Sequence, residues 1–150
     1  MKHLLVIHGG HGGHTRALCE AVCAGAAAGD ADLRCLHAAQ AGLEDLLWAD
    51  GLLLGTPENF GYMSGLLKDF FDRTFYPAEG RTVGMPYALF VSAGNDGTGA
   101  ARAVGRIAIG YGWKAIAEPL IVKGEVGETA LQACRELGEA MAAGLAGGIF

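Results

Sequence analysis

Apolar residues along the chain follow two patterns in turn: short unbroken runs, and longer stretches where they recur every three or four positions. Leu4-Leu5-Val6-Ile7, Leu52-Leu53-Leu54 and Tyr87 with Leu89-Phe90-Val91 belong to the first kind, the signature of parallel strands buried on both faces. Strands are predicted at residues 3–8, at 31–37, over the run that breaks at Gly55-Thr56-Pro57, at 86–92 and at 114–122. In the second strand Asp32 and Arg34 alternate with Leu33 and Cys35, and Pro119 interrupts the fifth, which suits an edge strand or a bulge. Helical spacing predicts helices at 14–28, 43–48, 64–73, 99–111 and 128–145. Proline lacks an N–H and disfavours the α region for the residue before it, so the third strand must end at Pro57; Ser64 is the expected N-cap of the helix that follows. Strands that alternate with helices predict an α/β fold, a parallel sheet covered on both faces and wound with right-handed crossovers. No linker or repeat divides the chain, so residues 1–150 are read as one domain.

Composition narrows the function. Hydrophobic residues make up 51% and charged residues 18%, which excludes a disordered chain. A net charge of −5 with no basic run excludes a nucleic-acid partner, since phosphate backbones require clustered Lys and Arg. The N-terminus carries one lysine and four consecutive apolar residues, too short for a signal segment or a span, so no membrane association and cytoplasmic residence are expected. Four cysteines, Cys19, Cys23, Cys35 and Cys134, show no CxxC and no zinc spacing; they are expected to be reduced core residues.

In open parallel sheets, ligands bind beyond the carboxyl ends of the strands, and three irregular loops fall on that rim. The first, Gly9–Thr15, joins a strand to a helix start. Its glycines let N–H groups turn inward as an anion nest, and a monophosphate is the natural occupant. It lacks the Gly-Lys-Ser/Thr of a P-loop, and strand two ends in Leu36-His37 with no acidic residue for a dinucleotide ribose. His8, His11 and His14 stand three apart, but glycines separate them and no helix aligns them; no metal site is expected, and His11 and His14 are candidate phosphate contacts. In the second loop, Pro57–Met63, Phe60 or Tyr62 could stack on a flat heterocycle while the Glu58 and Asn59 backbone bonds its edge. The other of the two rings is expected to cover the core. The third loop, Ala93–Thr98, offers Asn95, Asp96 and Gly97 at the same rim, where they also suit an ordinary turn. No Ser/His/Asp or Cys/His arrangement is present, so any chemistry would belong to a cofactor.

The stretch Gly55-Thr56-Pro57-Glu58-Asn59-Phe60-Gly61-Tyr62-Met63-Ser64-Gly65-Leu66-Leu67-Lys68-Asp69-Phe70-Phe71-Asp72 resembles the signature of flavodoxin-like NAD(P)H-dependent FMN or quinone reductases. The resemblance implies a three-layer α/β/α sandwich around a five-stranded parallel sheet of order 2-1-3-4-5. It also implies an FMN phosphate at Gly10, His11, Gly12, Gly13, His14 and Thr15, and an isoalloxazine ring held by Pro57, Glu58, Asn59, Phe60 and Gly61 and by Ala93, Gly94, Asn95, Asp96 and Gly97. Of the family's phosphate-loop pattern only Gly13 and Thr15 remain, and two hydroxyl donors are missing. The activity it implies is electron transfer from NAD(P)H through FMN to a quinone or similar small acceptor, with a homodimer completing the site. A flavodoxin-type electron carrier and a binding domain that has lost FMN are the alternatives.

Overall fold

The unbroken apolar runs become the middle of a single parallel sheet. The computed structural model describes residues 1–150 and orders them as β1 (His3–His8), α1 (Gly13–Ala27), β2 (Asp32–His37), α2 (Leu43–Trp48), β3 (Gly51–Pro57), α3 (Gly65–Ala78), β4 (Pro86–Ala93), α4 (Thr98–Tyr111), β5 (Lys114–Ala115), β6 (Leu120–Lys123) and α5 (Glu128–Ala146). The sheet order is β2-β1-β3-β4-β5, and β6 also pairs with β4. The predicted fifth strand is thus present in two pieces on one edge, with Pro119 in the gap between them. Every strand pair is parallel. Both the fold and the 2-1-3-4-5 order agree with the expectation from sequence. The third helix runs on to Ala78, past the predicted end and through Pro77.

Alternation along the strands splits the core in two. Leu4, Val6, Leu53 and Phe90 meet Leu18 and Val22 of α1 and Met141 and Leu145 of α5. Leu5, Ile7, Leu52, Leu54 and Val91 face the other way, toward Leu46 of α2, Leu67 and Phe70 of α3, and Val104 of α4. Each such side chain, once fully buried, contributes about 1.5–3 kcal/mol. Helices α1 and α5 meet backbone to backbone. A Cβ on Gly25 would collide with the Arg135 carbonyl, and one on Gly138 with the Val22 carbonyl.

The cysteines depart from expectation. Cys19 and Cys134 are buried free thiols, but Cys23 and Cys35 are joined as a disulfide between α1 and β2. The chain reverses after α1, and β2 returns alongside it, so residues twelve apart in sequence become neighbours. Cys35 is exposed and Cys23 half-buried, so neither is a core residue. No helix is long and apolar enough to cross a membrane.

Candidate functional site

Strand register places the loops at one edge. His8 pairs with Gly55 and Pro57 with Ser92, so the carboxyl ends of β1, β3 and β4 finish side by side. Between the loops that leave them lies a cleft of about 540 Å³. It brings together His11, Gly12, Gly13, His14 and Thr15 of the first loop, Pro57, Glu58 and Asn59 of the second, and Ala93 and Gly94 of the third. Ser92, Gly124 and Glu125 also line it and were not singled out from sequence. Gly10 opens instead into a second cleft of about 470 Å³ behind the loop, and Phe60, Gly61, Asn95, Asp96 and Gly97 stand outside the first cleft's wall.

The first loop is bare where it meets the cleft. Gly12 is the N-cap of α1 and supplies no side-chain cap. The leading N–H groups of a helix need partners from outside its own turns, and their partial positive charge favours an anion. A Cβ at Gly12 or Gly13 would touch no protein atom, so packing within the chain does not account for glycine at either position. What their absent side chains keep open is approach to the backbone. Behind the cradle, His37 donates from Nε2 to the Gly10 carbonyl at 3.0 Å while its Nδ1 accepts from the Ala39 N–H at 3.1 Å, so the bonds fix one tautomer and one loop position. Thr15 is buried, and its hydroxyl shares a 2.6 Å bond with that of Ser92; one donates to the other, which leaves one O–H of the pair to give.

The three histidines diverge. His14 stands 3.9 Å from the exposed Glu125 carboxylate at the cleft mouth. His8 faces the second cleft with its ring edge-on to His37, and its Nδ1 is buried without a partner. Burial first, then the neighbouring His37 and Arg16, lowers the His8 pKa below the usual imidazole value, against a smaller opposing pull from Glu20. No three His, Cys, Asp or Glu side chains converge on a point that could hold a metal ion.

The second loop is braced. Asn59 and Tyr62 exchange two backbone hydrogen bonds, 2.8 and 3.0 Å, around a two-residue turn in which Phe60 (φ 53°) and Gly61 (φ 74°) are both left-handed. Positive φ is a strained state for a bulky residue such as phenylalanine. The Phe60 ring is fully exposed and that of Tyr62 is 42% exposed, so neither covers the core; Met63, 2% exposed, does so in place of the ring expected there. The Glu58 carboxylate accepts from the N–H groups of Gly97 (2.9 Å) and Ala100 (3.1 Å), capping α4 from another loop. Thr56 accepts from the Ser64 N–H, and Ser64 caps α3 by accepting from Leu67 at 3.2 Å, as its position in the sequence predicts. In the third loop Asp96 closes on Thr98, with its pKa lowered first by the Thr98 hydroxyl and then by the Thr98 N–H. The whole makes a backbone cradle for an anion beside a slot, walled by Pro57–Asn59 and Ala93–Gly94, that admits a flat group. These residues fit a flavin mononucleotide.

Comparison with known proteins gives the same outline. The model of the NADPH-dependent FMN reductase family matches residues 36–119, more than half of the chain; the match begins after the first loop and includes the second and third. A protein of Aquifex aeolicus named flavodoxin is 37% identical over 100 residues, 66% of this chain and 54% of its own length. An Acidithiobacillus ferrooxidans protein named NAD(P)H dehydrogenase (quinone) is 46% identical over 50 residues, 33% of this chain and 25% of its own. The chain thus spans about half of the first relative and a quarter of the second. A solved flavodoxin from the domain Archaea superposes with a TM-score of 0.87 at 23% identity, over 97% of this chain and 99% of that one.

Proposed function

The chain belongs to the NADPH-dependent FMN reductase family, and we propose that it is an FMN-dependent oxidoreductase passing electrons from NAD(P)H to a quinone or similar small acceptor. The observation that carries this reading is the bare Gly12–Gly13 cradle at the start of α1, opening onto a slot built from the Pro57–Asn59 stretch that the family model matches. FMN, when bound, supplies the redox chemistry: hydride uptake from a nicotinamide and release of electrons to the acceptor. The chain's own residues bind and orient. N–H groups of Gly12 through Thr15 and the free O–H of the Thr15–Ser92 pair would hold the phosphate. The backbone at Pro57–Asn59 and Ala93–Gly94 would flank the ring, and the Glu58 carboxylate keeps these two walls at a fixed separation by tying one loop to the other. Phe60, outside the wall and fully exposed, is placed to cover a second flat molecule at the rim.

A flavodoxin-type electron carrier is the competing reading, and the likeness to the Aquifex aeolicus flavodoxin favours it. One experiment separates the two. FMN is titrated into the purified protein and followed by quenching of flavin fluorescence; NADH or NADPH oxidation is then measured with and without a quinone. The reductase reading expects binding and quinone-dependent oxidation. Binding without nicotinamide oxidation selects the carrier, and no binding at high micromolar FMN leaves a domain that has lost the cofactor.

A further inference from the structure

We propose that Cys23 and Cys35 form a thiol–disulfide exchange site, served by the cleft behind the first loop, whose reductant is a small thiol that bears carboxylates. The proposal does not depend on flavin binding. It starts from a contrast among the cysteines. Cys19 and Cys134 are buried, and burial pushes their thiols up to about 12 and about 11, so both are inert. The paired cysteines lie at the surface, Cys35 exposed and Cys23 half-buried, and both line the 470 Å³ cleft, to whose wall the buried Cys19 also contributes. A disulfide that only staples a fold has no need of an approach path of that size. The volume lies within the range of small-molecule sites, about 300–1,000 Å³, and is too small to seat a folded partner.

The other walls of the cleft indicate the class of molecule. Arg16, His11, His37 and Gln40 line it, and Glu20 is its one carboxylate, held by Arg16 at 3.2 Å. Both His37 nitrogens are engaged within the protein, so the Arg16 guanidinium, the His11 imidazole and the Gln40 amide are the donors, and together they suit a ligand with carboxylate groups. The fold also tolerates an open bond. β2 is an edge strand, yet six residues in register with β1 and the 2.7 Å Arg34–Asp45 ion pair hold it in place without the disulfide.

Exchange runs in two balanced steps. A thiolate of the reductant attacks the exposed Cys35 sulfur; the Cys23–Cys35 bond breaks, and Cys23 leaves as a thiolate that takes a proton from solvent. A second thiolate then attacks the reductant's sulfur in the mixed disulfide, releasing the small disulfide and the Cys35 thiolate, which is protonated in turn. Two small thiols become one disulfide, and the protein gains two electrons and two protons. With the oxidised small disulfide in excess the steps reverse.

Reduced glutathione, a thiol with two carboxylates, is the probe. Native protein is incubated with it, free thiols are alkylated, and labelled peptides are identified by mass spectrometry. The expected result is no label on Cys23 and Cys35 before treatment, label on both after it with an unchanged circular dichroism spectrum, and reversal by oxidised glutathione. Cys23→Ser treated with oxidised glutathione should take up one glutathione on Cys35 as a mixed disulfide, releasing one reduced glutathione. A bond that survives until denaturant is added is a structural staple and overturns the proposal, as does labelling of both residues before any reductant. Arg16→Ala tests the cleft: exchange with glutathione should slow about fivefold to tenfold, while exchange with uncharged 2-mercaptoethanol keeps its rate. Equal slowing of both, or opening only by a protein dithiol, overturns the small-thiol assignment.

Discussion

Residues 9–15 and residues 57–63 leave neighbouring strands at the same edge and reach the same cleft, but they are held in opposite ways. The second loop braces itself: its turn is closed by Asn59 and Tyr62, its Glu58 carboxylate caps α4, and Thr56 and Ser64 tie it to α3. The first loop is fixed behind the cleft, by His37 on the Gly10 carbonyl and by Thr15 on Ser92, and is bare at Gly12 and Gly13 where the cleft is. A loop that spends its side chains on its own support is preorganised and sets where a ligand's rigid part lies. A loop that presents backbone donors supplies the counter-charge. Substitution in the bare loop should therefore change the ligand without changing the fold, and substitution in the braced loop should change both.

The largest expected effect sets that asymmetry at its sharpest. Gly13→Asp puts a carboxylate into open space at the helix start, where it meets no protein atom. Like charges brought together cost several kcal/mol, so FMN affinity should fall by about 100-fold or more with an unchanged melting temperature. Unchanged affinity in a fluorescence titration would show that the phosphate lies elsewhere. Glu58→Ala should do the reverse and reach the fold: two N–H groups lose a charged acceptor, at about 1.5–3 kcal/mol, visible as a lower urea midpoint at unchanged slope. If only affinity moves, the brace is not structural.

Phe60→Asn separates strain from use within the braced loop. Asparagine accepts a left-handed backbone and suits the first position of this turn, so stability should rise by about 1 kcal/mol while quinone-dependent turnover falls. A rise in stability with turnover intact would make Phe60 a passenger. The smallest effect returns to the bare loop. Glu125 is nearly fully exposed beside His14 at the cleft mouth, and Glu125→Gln should raise FMN affinity by about threefold at low salt, an advantage that fades as salt screens it.

The sheet was legible because its signals are local and repeated: apolar runs for buried strands, helical spacing between them, Pro57 for a strand end, Ser64 for a cap. The second loop was legible as a motif, although the work of the Glu58 side chain was not, since its partners lie 39 and 42 residues away. The disulfide was hidden for a related reason. A spacing of twelve carries no redox signal until the strand order places β2 alongside α1. Ser92 closes a fully buried strand and reads as core from sequence, and only its register with Pro57 brings it to the cleft. Gly124 and Glu125 could have been found, because they follow the last strand and the rule that gathers loops at the carboxyl edge applies to them too.

The broken last strand also decides how the sheet can meet another copy of itself. A continuous row of unpaired N–H and C=O groups is what recruits a foreign strand, and on that side the row is cut into pieces of two and four residues with Pro119 between them. The opposite border, β2, offers six residues in a row; of its charges Asp32 is exposed, while Arg34 is turned onto Asp45 and Trp48. Strand addition between molecules in concentrated solution therefore has one border to start from, and a mutation that neutralises Asp32 is the one to avoid when the protein is handled at high concentration.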